Sequence, residues 1–157
     1  MKRLILEKLE KWKQSKRRKP LLLRGARQVG KTWVLKEFGN TFADGFVHID
    51  FDKQVEYRQF FEQTKDVKRI LDNLALATGK KITPKTLIIF DEIQACESAL
   101  NSLKYFYEDA PQYSVVGAGS LLGLKLASGF PVGKVEFLDM YPMTFTEFLF
   151  ANGDANL

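Results

Sequence analysis

The chain has 157 residues, room for one domain of ordinary size and not for two. Hydrophobic residues make up 45% and charged residues 27%, which excludes a disordered or collagen-like chain. The net charge of +5 is uneven: residues 1–36 carry 13 Lys/Arg against two acids, +11, and the remainder carries −6. So basic a segment either meets phosphate, on a nucleotide, a nucleic acid or a lipid surface, or is a solvated helix face. The lone Cys96 excludes an internal disulfide framework, and with the lone His48 it argues against a Cys/His zinc set. The longest uncharged run, Ala110 to Leu124, is too short and too polar to span a bilayer. No long apolar core precedes Lys8, so the start does not read as a secretory signal, and a reducing cytoplasmic compartment is expected.

In chain order, Ile5, Leu9 and Trp12 fall on one face of an amphipathic helix, which the run Lys16 to Lys19 and Pro20 should stop. Leu21-Leu22-Leu23 is a buried strand, followed by a Gly-rich turn, Gly25 to Gly30. A helix is predicted over Lys31 to Phe38, with Gly39-Asn40 as its C-terminal stop. Phe46 to Asp50 reads as a second strand and residues 54–63 as a short helix. Asp66 caps a further helix with Val67, Ile70, Leu71 and Leu74 on its inner face, ended by Thr78-Gly79. Thr86 to Phe90 is an apolar run, hence a fully buried strand. Leu100, Leu103, Phe106 and Tyr107 mark a helix closed by Pro111. A fourth strand, Tyr113 to Val116, leads into Gly117-Ala118-Gly119-Ser120. A small helix follows at Leu121 to Leu126, then a fifth strand, Val135 to Leu138. Thr144 and Glu147 form a capping box that opens a last helix. Strands alternating with helices imply parallel pairing and a three-layer α/β sandwich. Such sheets bind ligands at the carboxyl ends of their strands.

Gly25-Ala26-Arg27-Gln28-Val29-Gly30-Lys31-Thr32 matches G-x-x-x-x-G-K-[ST] in full, between a strand and a helix. Its glycines let successive amides, about Gln28 through Trp33, turn toward phosphate at the positive end of the helix. Lys31 should reach the β- and γ-phosphates, and the Thr32 hydroxyl should hold Mg²⁺. Arg27 either contacts the nucleotide or points to solvent. At the end of the buried strand stand two carboxylates, Asp91 and Glu92. Asp91 suits the Mg²⁺ shell, and Glu92 suits the activation of a water. Ser120 is either a sensor of the γ-phosphate or a helix N-cap. His48, between Val47 and Ile49, reads as packing or surface, and Cys96 as a structural thiol. Phe145, Phe148, Leu149 and Phe150 read as core packing or as a docking surface.

Four strings, Arg24 to Thr32, Phe90-Asp91-Glu92-Ile93-Gln94, Gly119-Ser120-Leu121-Leu122 and Tyr141 to Leu149, resemble the AAA-like P-loop ATPases of bacteria and archaea. The resemblance covers Leu4 to Phe150. It implies a RecA/AAA-like core with a sheet of about five strands in the order 5-1-4-3-2. It also implies phosphate and Mg²⁺ binding by Lys31 and Thr32, a second motif of Asp91 and Glu92, and a sensor at Ser120. Family members are typically longer and carry a C-terminal domain resembling a restriction-endonuclease fold. The chain therefore reads as a fragment: a basic helix 1–19, a nucleotide-binding core 20–140 and a docking segment 141–157, whose residues 141–150 would meet the missing domain or a partner protein.

Mg²⁺-dependent ATP hydrolysis is the leading expectation. Its competitors are a nucleotide-dependent switch or adaptor with little turnover, and a P-loop kinase, which the Asp-Glu pair argues against. A GTPase is disfavoured because no Asn-Lys-x-Asp string occurs, so adenine is the default base. Arg58 and Arg69 are available as arginine fingers, but no spacing selects either. Homo-oligomers are compatible with the family resemblance. A nucleic-acid partner is less favoured, since Arg24, Arg27 and Lys31 lie in or beside the phosphate loop, and no membrane partner is expected.

Overall fold

The computed structural model describes residues 4–26, 29–120 and 132–141. Five parallel strands form one sheet: β1 (Leu21–Gly25), β2 (Phe46–Asp50), β3 (Leu87–Asp91), β4 (Ser114–Ser120) and β5 (Glu136–Met140). Their spatial order is β2-β3-β4-β1-β5, the order 5-1-4-3-2 that the resemblance implied. The pairing sets Leu21 opposite both Val116 and Glu136, Gly25 opposite Ser120, and Asp50 opposite Asp91. The ends of β1, β3 and β4 therefore converge on one edge.

Alternating side chains on the strands divide the core in two. Leu21, Leu23, Leu87, Ile89, Val116 and Ala118 face one layer with Ile5, Leu9 and Trp12 of α1 (Leu4–Gln14) and Val34, Leu35 and Phe38 of α2 (Lys31–Gly39). Leu22, Ile88, Phe90 and Val115 face the other, built by α3 (Gln59–Glu62), α4 (Val67–Thr78) and α5 (Glu97–Asp109). Phe90 joins Phe51, Phe61 and Phe106 there, with ring centroids 5.2–6.0 Å apart. The three-layer sandwich thus follows from period-2 alternation meeting helical stripes on both sides. Three-residue 3₁₀ turns at Ile93–Ala95 and Val132–Lys134, and a four-residue one at Val55–Arg58, complete the described elements.

The local signals held at α4. The Asp66 carboxylate accepts the Lys68 N–H as an N-cap, and Gly79 ends the helix at φ 70°. α2 ends at Gly39 with Asn40 as its C-cap, as expected, and Gly39 is also required by contact, because a Cβ there would lie 2.6 Å from the Phe46 Cβ. The fourth strand needs correction: it runs past Val116 through Gly117-Ala118-Gly119 to Ser120. At Gly117 a Cβ would meet Ile93 Cδ1 and Leu22 Cδ2 at 2.8 and 2.9 Å. The expected helices at Leu121 to Leu126 and after Thr144 lie outside the described residues, as do the Phe145 to Phe150 cluster and Arg27 and Gln28. Among the described residues no helix is long and apolar enough to cross a membrane.

Candidate functional site

The loop after β1 starts where Gly25 is extended against β5, with no space for a side chain: a Cβ would sit 2.7 Å from the Met140 carbonyl oxygen. It closes at Gly30, whose φ of 92° lies in the left-handed region open to glycine. The two loop glycines thus serve different ends, close approach at Gly25 and a turn at Gly30. α2 begins at Lys31 with no side-chain cap on its first amides. That is the arrangement in which a helix N-terminus offers N–H groups to an anion. Lys31 is only 7% exposed, and its Nζ donates to the carbonyls of Gly25 and Ala26 at 2.9 and 2.8 Å. Trp33 follows in the first turn, 38% exposed.

Thr32 and Asp91 come from motifs 59 residues apart, yet the Thr32 hydroxyl donates to Asp91 Oδ2 at 2.6 Å. Asp91 is buried at the tip of β3, and its carboxylate is in contact with three hydrogen-bonding groups, Thr32 among them. Its Oδ1 accepts the Glu92 N–H at 3.0 Å, and its Oδ2 also lies 2.9 Å from His48 Nε2. An ionised carboxylate only accepts, so this contact requires a proton on Nε2. Burial alone raises the Asp91 pKa, but the hydrogen bonds from His48 and Thr32, the charge interaction with His48 and the Glu92 N–H outweigh it. The net direction is down, toward a carboxylate ready for a cation.

His48 corrects the sequence reading. It is no mere packing residue, because β2 lies beside β3 and brings its imidazole to Asp91. The implied strand order already set β2 beside β3, but only the register and the side-chain placement show that His48 reaches Asp91.

Glu92 leaves the strand at φ 51° and ψ 45°, the one left-handed non-glycine residue among those described, a conformation that costs about 1–2 kcal/mol. Its Oε2 accepts the Gln94 Nε2–H at 2.6 Å. Ser120 ends β4, paired in register with Gly25 and so between the loop and the tip of β3. Other candidates are committed elsewhere. Arg24 forms a two-pronged ion pair with Asp139 at 2.8 and 3.2 Å, and Arg58 donates twice to the Phe51 carbonyl. Arg69 is exposed on α4. Cys96 is buried, which pushes its thiol pKa up, in keeping with a structural role.

The donor set suits a Mg²⁺–nucleotide. The oxygens gathered at one place are a hydroxyl and a carboxylate, hard donors of the kind Mg²⁺ takes alongside water and phosphate. Among the described residues no group of three or more His, Cys, Asp or Glu side chains gathers as a self-sufficient metal site.

A parallel sheet in this order, with a glycine loop and a buried acidic strand end at one edge, defines the class of AAA-like nucleotide-binding domains. A family model described as an AAA domain matches residues 17–149, and the chain belongs to that family. No curated protein is significantly similar in sequence. Among solved structures, the Aeropyrum pernix ORC1 protein in complex with DNA superposes with a TM-score of 0.58 at 16% identity, covering 96% of this chain and 47% of ORC1. AMPPCP-bound DnaA from Aquifex aeolicus gives a TM-score of 0.50 at 14% identity, covering 87% of this chain and 44% of DnaA. The chain thus spans less than half the length of either. At these identities the likeness is one of fold.

Proposed function

We propose that this domain binds ATP with Mg²⁺ and hydrolyses the β–γ phosphate bond. The observation that carries the reading is the 2.6 Å contact between the Thr32 hydroxyl and Asp91, which joins the phosphate loop to the acidic strand end. The loop amides and α2 would bind the phosphates, and Lys31 would neutralise charge on the β- and γ-phosphates. Thr32 and Asp91 would hold the Mg²⁺, which supplies charge stabilisation on the phosphate oxygens. His48 and the Glu92 N–H orient Asp91 for that task. Glu92 would accept a proton from a water as its oxygen bonds to the γ-phosphorus and the bridging P–O bond to ADP breaks. Ser120, at the end of the strand between the two motifs, would report on the γ-phosphate.

The test measures binding and turnover together, which separates hydrolysis from a nucleotide-dependent switch. Calorimetry should find Mg²⁺-dependent ATP binding, with steady-state phosphate release in the full-length protein. Glu92→Gln should keep binding and reduce release by about a hundredfold, the scale of a lost general base. Binding with no release in wild type would favour the switch, and equal release by wild type and Glu92→Gln would remove Glu92 from the mechanism. The division into basic helix 1–19, core 20–140 and docking segment 141–157 belongs to the same proposal, with the segment meeting a further domain or a partner. Tyr141, its first residue, is 66% exposed.

A further inference from the structure

We propose that Gln94 is a positioning residue that aims the Glu92 carboxylate at the attacking water; the inference rests on Glu92 being the base. Gln94 lies two residues past Glu92, in the 3₁₀ turn Ile93–Ala95 that leaves β3. Its Nε2–H donates to Glu92 Oε2 at 2.6 Å, a short bond of the charge-assisted kind. Glu92 is thereby held at both ends. Its backbone N–H is tied to Asp91 Oδ1, and its side chain is tied to Gln94.

The arrangement has a local cost. Gln94 Oε1 is buried and has no hydrogen-bond partner among the described residues. Orphaned buried acceptors are rare, because each forfeits its hydration without return. An ionised carboxylate can only accept, so Glu92 demands the N–H side of the amide and turns the carbonyl away. If Gln94 served packing alone, an apolar side chain of equal length would fill the same space without the orphaned oxygen. The strained backbone of Glu92 stands two residues away, at the same strand tip. Strain and an orphaned polar group thus meet beside the Thr32–Asp91 contact, where they serve chemistry rather than stability.

The consequence for the reaction is directional. With Oε2 engaged by Gln94, the other oxygen of Glu92 is the one that takes the water proton. That transfer accompanies formation of the new O–P bond and cleavage of the bridging P–O bond. Gln94 neither gains nor loses a proton. Its hydrogen bond matters in the transition state and not for the binding of ATP, so its loss should appear in kcat and not in KM.

The test compares wild type, Gln94→Met, Glu92→Gln and the double variant in the full-length protein. It measures kcat, KM for ATP, and calorimetric affinities for AMPPCP and for ADP with aluminium fluoride. Gln94→Met preserves length and removes the N–H. It should lower kcat by about tenfold or more, the scale on which partners that orient a reacting group act. KM and AMPPCP affinity should stay within about twofold, while affinity for the ADP–aluminium fluoride complex falls in step with kcat. The double variant should be no slower than Glu92→Gln alone, because Gln94 acts only through Glu92. An unchanged or raised kcat in Gln94→Met overturns the proposal. A parallel loss of AMPPCP affinity also overturns it and makes Gln94 structural, as does a double variant slower than Glu92→Gln by the full single-variant factor. If wild type neither turns over ATP nor distinguishes ADP with aluminium fluoride from ADP alone, the hydrolytic reading itself falls, and this proposal falls with it.

Discussion

The basic stretch from Lys13 to Lys19 and the phosphate loop from Gly25 to Thr32 both draw on the cationic first quarter of the chain, yet the fold uses them in opposite ways. In the stretch, charge is spent on holding the chain together. Lys13 Nζ reaches the Thr41 carbonyl and hydroxyl and sits 4.2 Å from the centre of the Phe42 ring. Arg18 donates to the carbonyls of Lys13 and Gln112 and lies over Trp12. Lys19 lies over Tyr107. In the loop a single ammonium, Lys31, is almost wholly buried against the carbonyls of Gly25 and Ala26 beside an uncapped helix start. Charge count locates a basic region; burial and partners locate a site. Lys16 and Arg17 in the same stretch are exposed, and they are where the nucleic-acid reading is tested.

Three variants put this contrast at risk. The largest effect is expected at Lys31→Ala, which should lower ATP affinity or turnover by about a hundredfold or more, as loss of a preorganised charge donor does. Calorimetry and phosphate release would read it, and a small effect would mean that the loop is only a turn. Next comes Arg18→Met, which should lower unfolding free energy by about 1 kcal/mol and leave nucleotide affinity alone, since its two hydrogen bonds are partly exposed and solvent-screened. Denaturant titration measures the first quantity. A loss of nucleotide binding instead would erase the distinction between the two regions. Smallest is the pair Lys16→Ala and Arg17→Ala, both exposed, expected within about 0.5 kcal/mol of wild type in stability and neutral in nucleotide binding. A steep, salt-dependent loss of DNA binding in that pair would restore the nucleic-acid reading.

Much of the architecture was legible because its signals are local. Helical spacing placed Ile5, Leu9 and Trp12, and an Asp at the right position capped α4. The uniformly apolar Leu87 to Phe90 marked a strand covered on both faces. Strand lengths were less legible. β4, expected to end at Val116, runs on through two glycines to Ser120, and packing against Ile93 and Leu22 requires the glycine at Gly117. At the site, Thr32 and Asp91 were readable with their roles, whereas His48 was read as packing or surface and Gln94 only as the end of a motif string, without its contact to Glu92. His48 reaches Asp91 only because β2 and β3 are neighbours. Gln94 faces Glu92 only because Glu92 turns left-handed and folds the next residues back.

By itself the sequence determined the alternation of strands and helices, the glycine loop with its lysine and threonine, and the acidic end of a buried strand. Those rest on short-range rules of period, capping and motif spacing. The strand order came with the family resemblance; the tertiary structure decided the register of those strands, which cations are already engaged, and which groups surround Asp91 and Glu92. Such facts depend on contacts between residues far apart in the chain, and composition and periodicity carry no information about those.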